Sequence, residues 1–250
     1  MSDTTIRRPI KWLSASDTNV GVVRKINEDS VFSKPEINMW AVADGMGGHE
    51  AGNIASSMIV SALDELEEKQ HLTESVNSVE NKIIDVNERL LEYSEIMLEG
   101  RIVGSTVVIL FIKGRVGVCM WAGDSRLYRY RSNNLKQMTV DHSHVAELLK
   151  QGSITAEEAE NHPESNVITR AVGTCENIFV DIDIFDVEAG DVFLLCSDGL
   201  YNSVSDENII SCLRDDVDET VSNLISTSLD NEAADNVSVI VVKGTHNINS

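Results

Sequence analysis

Five times along this chain a run of β-forming residues meets acidic side chains at one end. Trp40 to Ala43 stops at Asp44-Gly45, Val116 to Ala122 runs into Gly123-Asp124-Ser125, and Val192 to Cys196 runs into Ser197-Asp198-Gly199. In two cases the acids come first: Asn27-Glu28-Asp29 before the strand at Val31, and Asp235-Asn236 before Val237 to Val242. One such junction is ordinary, because Asp, Asn and Gly are turn residues. Five suggest carboxylates projecting from sheet ends into one cleft. Carboxylates that close raise one another's pKa and stay ionised only around a positive charge. Oxygen donors without His or Cys select hard cations, Mg2+ or Mn2+, with Ca2+ as an alternative. The set is too large for one hydrated ion. It suits two, roughly 3.5–4 Å apart, a pair that activates water for attack on phosphate. In this reading Asp44 bridges the ions and Gly45 turns its carbonyl toward one. Gly47 and Gly48 let the loop pass close to the substrate. Arg24, four residues before Glu28, carries the planar fork that suits phosphate oxygens.

The order of elements restricts the fold. Strands are expected over 30–33, 39–43, 105–112, 116–122, 127–130, 179–185, 192–196 and 237–242. Ile54, Met58, Ala62 and Leu66 recur every four residues and predict one helix. A second carries Val76, Val79, Ile83, Val86, Leu90, Tyr93 and Met97 on one face, with Thr73 as its cap. Further helical patterns lie near 206–213 and 218–228. Residues 141–173 form a polar excursion with two short helix-like segments, and residues 1–16 read as a loose lead-in to a single domain over 17–244. Regular βαβ alternation is absent, which favours α+β with antiparallel sheets covered by helices.

Charge and apolar content narrow the function classes. Forty-one acids against twenty bases give a net charge of −21, which repels nucleic acid and anionic membrane. The longest apolar run, Val107 to Ile112, is too short to cross a bilayer, and the amino terminus lacks a signal-peptide core. The expected location is the cytoplasm. Cys119, Cys175, Cys196 and Cys212 form no CxxC pair and read as buried free thiols. Cys196 lacks the phosphate-cradling loop and following arginine of a thiol nucleophile, so it reads as core. His142 and His144 read as a surface pair in the excursion. Asn236-Val237-Ser238 fits the glycosylation sequon without a secretion signal.

The motifs resemble, in order, those of the metal-dependent PP2C-type (PPM) serine/threonine protein phosphatases in their compact bacterial form. They are GVVRKINEDS (21–30), VADGMGGHEAG (42–52), GST (104–106), AGDSRLYRYR (122–131), MTVDHSHVAELLKQG (138–152), EEAENHPESNVITRAVG (157–173), LLCSDGL (194–200) and DNVSVIVV (235–242). The resemblance implies a four-layer αββα sandwich of two antiparallel sheets flanked by helices. It implies a phosphoserine/phosphothreonine phosphatase in which a binuclear Mn2+ or Mg2+ centre activates the attacking water. By similarity Asp44 bridges the metals, Gly45 supplies a carbonyl, Asp198 and Asp235 complete the pair, and Glu28 and Asp29 act through water. Asp124 with Asp198 matches a weaker third metal position, Arg24 the substrate-phosphate arginine, and 141–173 the flap beside the site. Met46 stands where animal members carry a histidine proposed as general acid, which leaves His49, His142 or a water for that role. Phosphorylated proteins are the implied partners, with a cognate Ser/Thr kinase and its substrates by analogy, and the chain is read as a monomer.

Overall fold

The computed structural model describes residues 9–47, 51–160 and 162–246. The strands are β1 Ile10–Asn19, β2 Asp29–Lys34, β3 Met39–Met46, β4 Gly104–Ser105, β5 Val107–Lys113 and β6 Val116–Ala122. They continue with β7 Arg126–Arg131, β8 Asn134–Gln137, β9 Asp181–Asp186, β10 Val192–Cys196 and β11 Val237–His246. The helices are α1 Ala51–Asp64, α2 Leu72–Met97, α3 His144–Lys150, α4 Ala156–Glu160, α5 Asp198–Tyr201, α6 Asp206–Cys212 and α7 Val217–Asp230. One sheet runs β1-β11-β10-β7-β8, the other β2-β3-β5-β6-β9 with β4 added to β3, and all pairings are antiparallel.

Why the central strands read as unbroken apolar runs follows from their layers. In β5, Val107, Ile109 and Phe111 face α1 and α2, while Val108, Leu110 and Ile112 enter the space between the sheets. In β11, Val237, Val239 and Val241 pack with α6 and α7, while Ile240 and Val242 face inward. A strand covered on both faces has no polar side to show. The result is four layers: helices, sheet, sheet, helices. Leu110 lies completely buried at the centre of the inter-sheet layer. Leu110→Ala should cost about 3 kcal/mol, read as a lower urea midpoint with an unchanged slope.

Several sequence expectations need correction. Residues 10–16, taken as loose lead-in, belong to β1, which pairs with β11 along its whole length from Ile10↔His246 to Asn19↔Val237. The expected strand 105–112 is two, β4 and β5, broken at Thr106, and the strand expected at 179–185 is β9. The cap of α2 is His71, not Thr73, with Glu74 reaching back to the His71 N–H. In α1 the buried face is Ala55, Ser56, Ile59, Ala62 and Leu63, while Ile54 and Met58 are only half-buried. Steps of four drift about 40° each around a 3.6-residue helix, so the expected stripe begins at the edge of the face with Ile54 and Met58 and reaches it at Ala62, with Leu66 buried just beyond the helix. Met97, expected on the packing face of α2, is exposed. Cys175 is exposed, whereas Cys119, Cys196 and Cys212 are buried and free as expected.

Candidate active site

The alternation that fills the inter-sheet layer also decides what ends it. Trp40 and Val42 point inward from β3, and Asp44 is next on that face. Asp29 pairs directly with Asp44 across β2 and β3. From β10 the inward series Phe193 and Leu195 continues to Ser197, and from β11 Ile240 and Val242 lead back to Ser238. One end of the apolar layer is thus closed by hydroxyls and carboxylates. The Ser197 hydroxyl donates to Asp29 Oδ2 at 2.7 Å and accepts from the Ser238 N–H at 3.0 Å. The Asp44 N–H donates to Thr106 Oγ1 at 3.2 Å, and that hydroxyl shares a 2.7 Å bond with Ser125 beside Asp124.

Turns bring in the rest. Asp198 opens α5 and Asp235 precedes β11. Gly45 sits where a Cβ would lie 2.0 Å from the Gly52 carbonyl oxygen and 2.6 Å from that of Glu28. Only glycine permits that approach. Glu28 is fixed by its own carbonyl, which accepts from Gly45 N–H at 3.1 Å and from Ser56 Oγ at 2.6 Å, and by Oε1, which accepts from Gly52 N–H at 3.2 Å. Arg24 Nη2 donates to Asp235 Oδ2 at 2.7 Å across the cleft, and Asp235 raises the arginine's pKa.

Crowding shows in the acidities. Burial pushes Asp29 up to about 6, with Asp235 adding to the rise and hydrogen bonds from Ser197 and Ser238 opposing it. Burial, then the charge of Asp141, lifts Asp124 to about 6. Burial, then Asp124, Asp235 and Asp29, lifts Asp198 to about 8. Asp44 rises well above its ordinary 3.8 through burial and then Asp29, Asp198, Asp124 and Asp235. Five aspartates from both sheets therefore feel one another. Asp29 Oδ1, Asp124 Oδ1 and Asp198 Oδ1 are buried without a hydrogen-bond partner. Buried polar atoms are normally satisfied. Among the described residues no three acidic, His or Cys side chains already stand at ligand spacing around one point. Asp29 leans on Ser197 and Asp235 on Arg24 instead. The donor set is all oxygen, strongly anionic and partly unsatisfied, and it fits hard divalent cations.

The expectations for the two histidines divide. Gly48 and His49 lie outside the described residues. His142 is not a surface residue: it is buried, with its ring stacked on Trp121 at 6.1 Å. The Gly123 N–H donates to its Nδ1 at 3.0 Å, so the ring proton sits on Nε2 and goes to Asp181 Oδ2 at 3.2 Å. Arg170 Nη1 binds Asp181 Oδ1 at 2.6 Å, its true acceptor beside a ring nitrogen that is already a donor. Burial first, against the pull of Asp181, lowers the pKa of His142 and keeps it neutral. With both nitrogens engaged, His142 is a brace between the flap and the Gly123-Asp124 turn and leaves the list of acids.

Two supports carried no expected role. The Asn236 side chain gives Nδ2 to Val20 O at 2.9 Å and Ile26 O at 3.0 Å, and accepts from Glu28 N–H at 2.8 Å. Arg126 grips Asp141 through Nε and Nη2, and lies 3.5 Å over the Tyr201 ring, whose hydroxyl donates to Asp124 O at 3.2 Å. Both residues stand inside motifs quoted above, Asn236 beside Asp235 and Arg126 two after Asp124, and that adjacency is the only sequence signal.

Known proteins share this fold and sequence. Residues 23–238 match the family described as protein phosphatase 2C. The serine/threonine protein phosphatase PstP of Mycobacterium tuberculosis is 36% identical over 234 residues, covering 93% of this chain and 44% of that one. This chain thus spans less than half the length of that relative. The serine/threonine phosphatase stp of Listeria welshimeri is 35% identical over 236 residues, covering 90% of this chain and 93% of that one. A crystal structure of the PstP catalytic domain in complex with two manganese ions superposes with a TM-score of 0.85 at 32% identity, covering 94% of this chain and 99% of that one. Sequence and fold agree over nearly the same span, and this chain belongs to the protein phosphatase 2C (PPM) family.

Proposed function

We propose that this chain hydrolyses phosphoserine and phosphothreonine in proteins by direct attack of water, with Mn2+ or Mg2+ as its cofactor. The observation that carries this is the gathering of Asp29, Asp44, Asp124, Asp198 and Asp235 at one end of the sandwich, three of them with a buried oxygen lacking a partner. Asp44, the Gly45 carbonyl, Asp198 and Asp235 would hold two ions, with Glu28 and Asp29 acting through their waters. Asp124, the first charge after burial to raise Asp198, would join it at a weaker third position. When bound, the ions supply an acidified water and neutralise charge on the phosphoryl group.

The chain's own groups have separate tasks. Arg24, with its side chain 54% exposed, reaches phosphate oxygens by giving up Asp235. The fork geometry lets it keep two charge-assisted bonds to the transferring group. Glu28 and Asp29 orient water from positions locked by Gly52 and Ser197. No protein nucleophile is required. Cys196 is buried, and burial pushes its thiol up to about 12, so it is protonated at neutral pH. Phosphorylated proteins, a cognate Ser/Thr kinase among them, are the partners this reading implies.

Phosphate release from p-nitrophenyl phosphate and from a phosphothreonine peptide tests the proposal. Turnover should require Mn2+ or Mg2+ and cease with EDTA. A folded protein that releases no phosphate with either ion would refute it.

A further inference from the structure

The loop between β1 and β2 combines fixed backbone with exposed apolar side chains. Val22, Val23 and Ile26 are 52%, 67% and 42% exposed. Single exposed apolar residues are normal, but three within five positions beside a reactive centre mark a binding surface. The segment is held from both sides. Val22 N–H donates to Ala233 O at 2.9 Å, and Asn236 binds the carbonyls of Val20 and Ile26. Asn27 Nδ2 donates to Thr18 Oγ1 at 2.8 Å. At Gly21, with φ +75°, a Cβ would lie 2.1 Å from the Asp235 carbonyl oxygen, so the loop rests directly on the turn that carries a proposed metal ligand. A loop pinned this closely cannot turn its valines inward.

The chain runs from Val23 straight into Arg24, and adjacent Cα atoms are about 3.8 Å apart. A phosphate held by the Arg24 guanidinium lies about one arginine side chain from this backbone, so a peptide carrying it runs beside the loop that bears Val22 and Val23. Arg24 and Lys25 make this loop cationic in a chain of net charge −21, which suits the dianionic phosphate. We infer that Val22, Val23 and Ile26 form an apolar subsite that selects substrates bearing a large apolar residue immediately beside the phosphoserine or phosphothreonine. The inference rests on the phosphatase reading above and adds a sequence preference to it.

The test uses phosphothreonine peptides that differ only at the two flanking positions, Leu or Ser, with this chain and Mn2+. The wild type should favour the Leu peptide by about fivefold in kcat/KM, the scale of a half-buried valine contact. A Val22→Ser, Val23→Ser protein should bring the ratio close to one. An equal rate on both peptides in the wild type, or a ratio unmoved by the double substitution, would overturn the subsite while leaving the phosphatase intact. Failure of the wild type to release phosphate from p-nitrophenyl phosphate as well would remove both.

Discussion

Asp44→Asn should lower kcat on a phosphopeptide by about a thousandfold while the protein stays folded. The expectation follows from position. Asp44 is the residue whose acidity responds to all four other aspartates, so it stands among them. An amide there keeps the shape and the backbone bond from Thr106 N–H to Asp44 O at 2.8 Å, but cannot neutralise or bridge two cations. Loss of several kcal/mol of charge stabilisation corresponds to about three orders of magnitude in rate. The same change should raise the melting temperature of EDTA-treated protein, because one of five mutually repelling acids is gone. Steady-state kinetics beside a circular-dichroism melt separates the effects. Wild-type turnover in the variant would sink the metal-centred mechanism, and a protein that melts lower would contradict the crowding.

The second large effect concerns pH and metal together. Asp29 and Asp124 sit near 6 and Asp198 near 8, against an ordinary 3.8. Each native carboxyl keeps its proton to higher pH than its unfolded counterpart. Their contribution to stability is complete below about pH 4 and is lost as pH rises through the folded values. His142 works the other way: its depressed pKa adds stability as pH climbs toward its ordinary 6.5, and the gain is complete above that. The two oppose each other near pH 6, so the decline should be clearest from about pH 7 to 8.5, where Asp198 gives up its proton and the raised Asp44 adds to the loss. With at least one proton at stake, EDTA-treated protein should lose at least about 1–2 kcal/mol there, or about 3–6 °C in melting temperature. Saturating Mn2+ should erase the decline and add about 4 kcal/mol per site at a thousandfold excess over Kd. Calorimetry at a series of pH values, with and without Mn2+, reads both. A melting temperature that climbs with pH in EDTA would contradict the raised acidities.

What was legible in the sequence was local. Asp44, Asp124 and Asp198 announce themselves because an apolar run covered on both faces stops where the sheet reaches solvent, and Asp or Gly follows. The layers follow from the same runs, since a strand without a polar side needs cover twice. What was hidden depends on distant partners. Ile10–Asn19 alternates Trp, Ser, Asp and Thr and looks unstructured alone; β11 makes it a strand. His142 looks like a surface residue until Trp121, Gly123 and Asp181 enclose it. In α1 much of the packing face is Ala55 and Ser56, residues too small to stand out in an apolar count. Asn236 reads as a turn residue, although its amide fastens the Arg24 loop to the last strand.

The pairing of β1 with β11 has a consequence for how the molecule is made. The β2–β3 and β5–β6 pairs are close along the chain and can form early, as local contacts form fast. The other sheet cannot close until its final strand emerges, because β11 is the bridge between β1 and β10. During synthesis the half-built sandwich exposes the apolar surface of Trp40, Val42 and Leu110, a state prone to self-association. A ribosome stalled before residue 237 would therefore hold an aggregation-prone chain with no working centre. Function should appear abruptly, only once Val237–His246 has emerged.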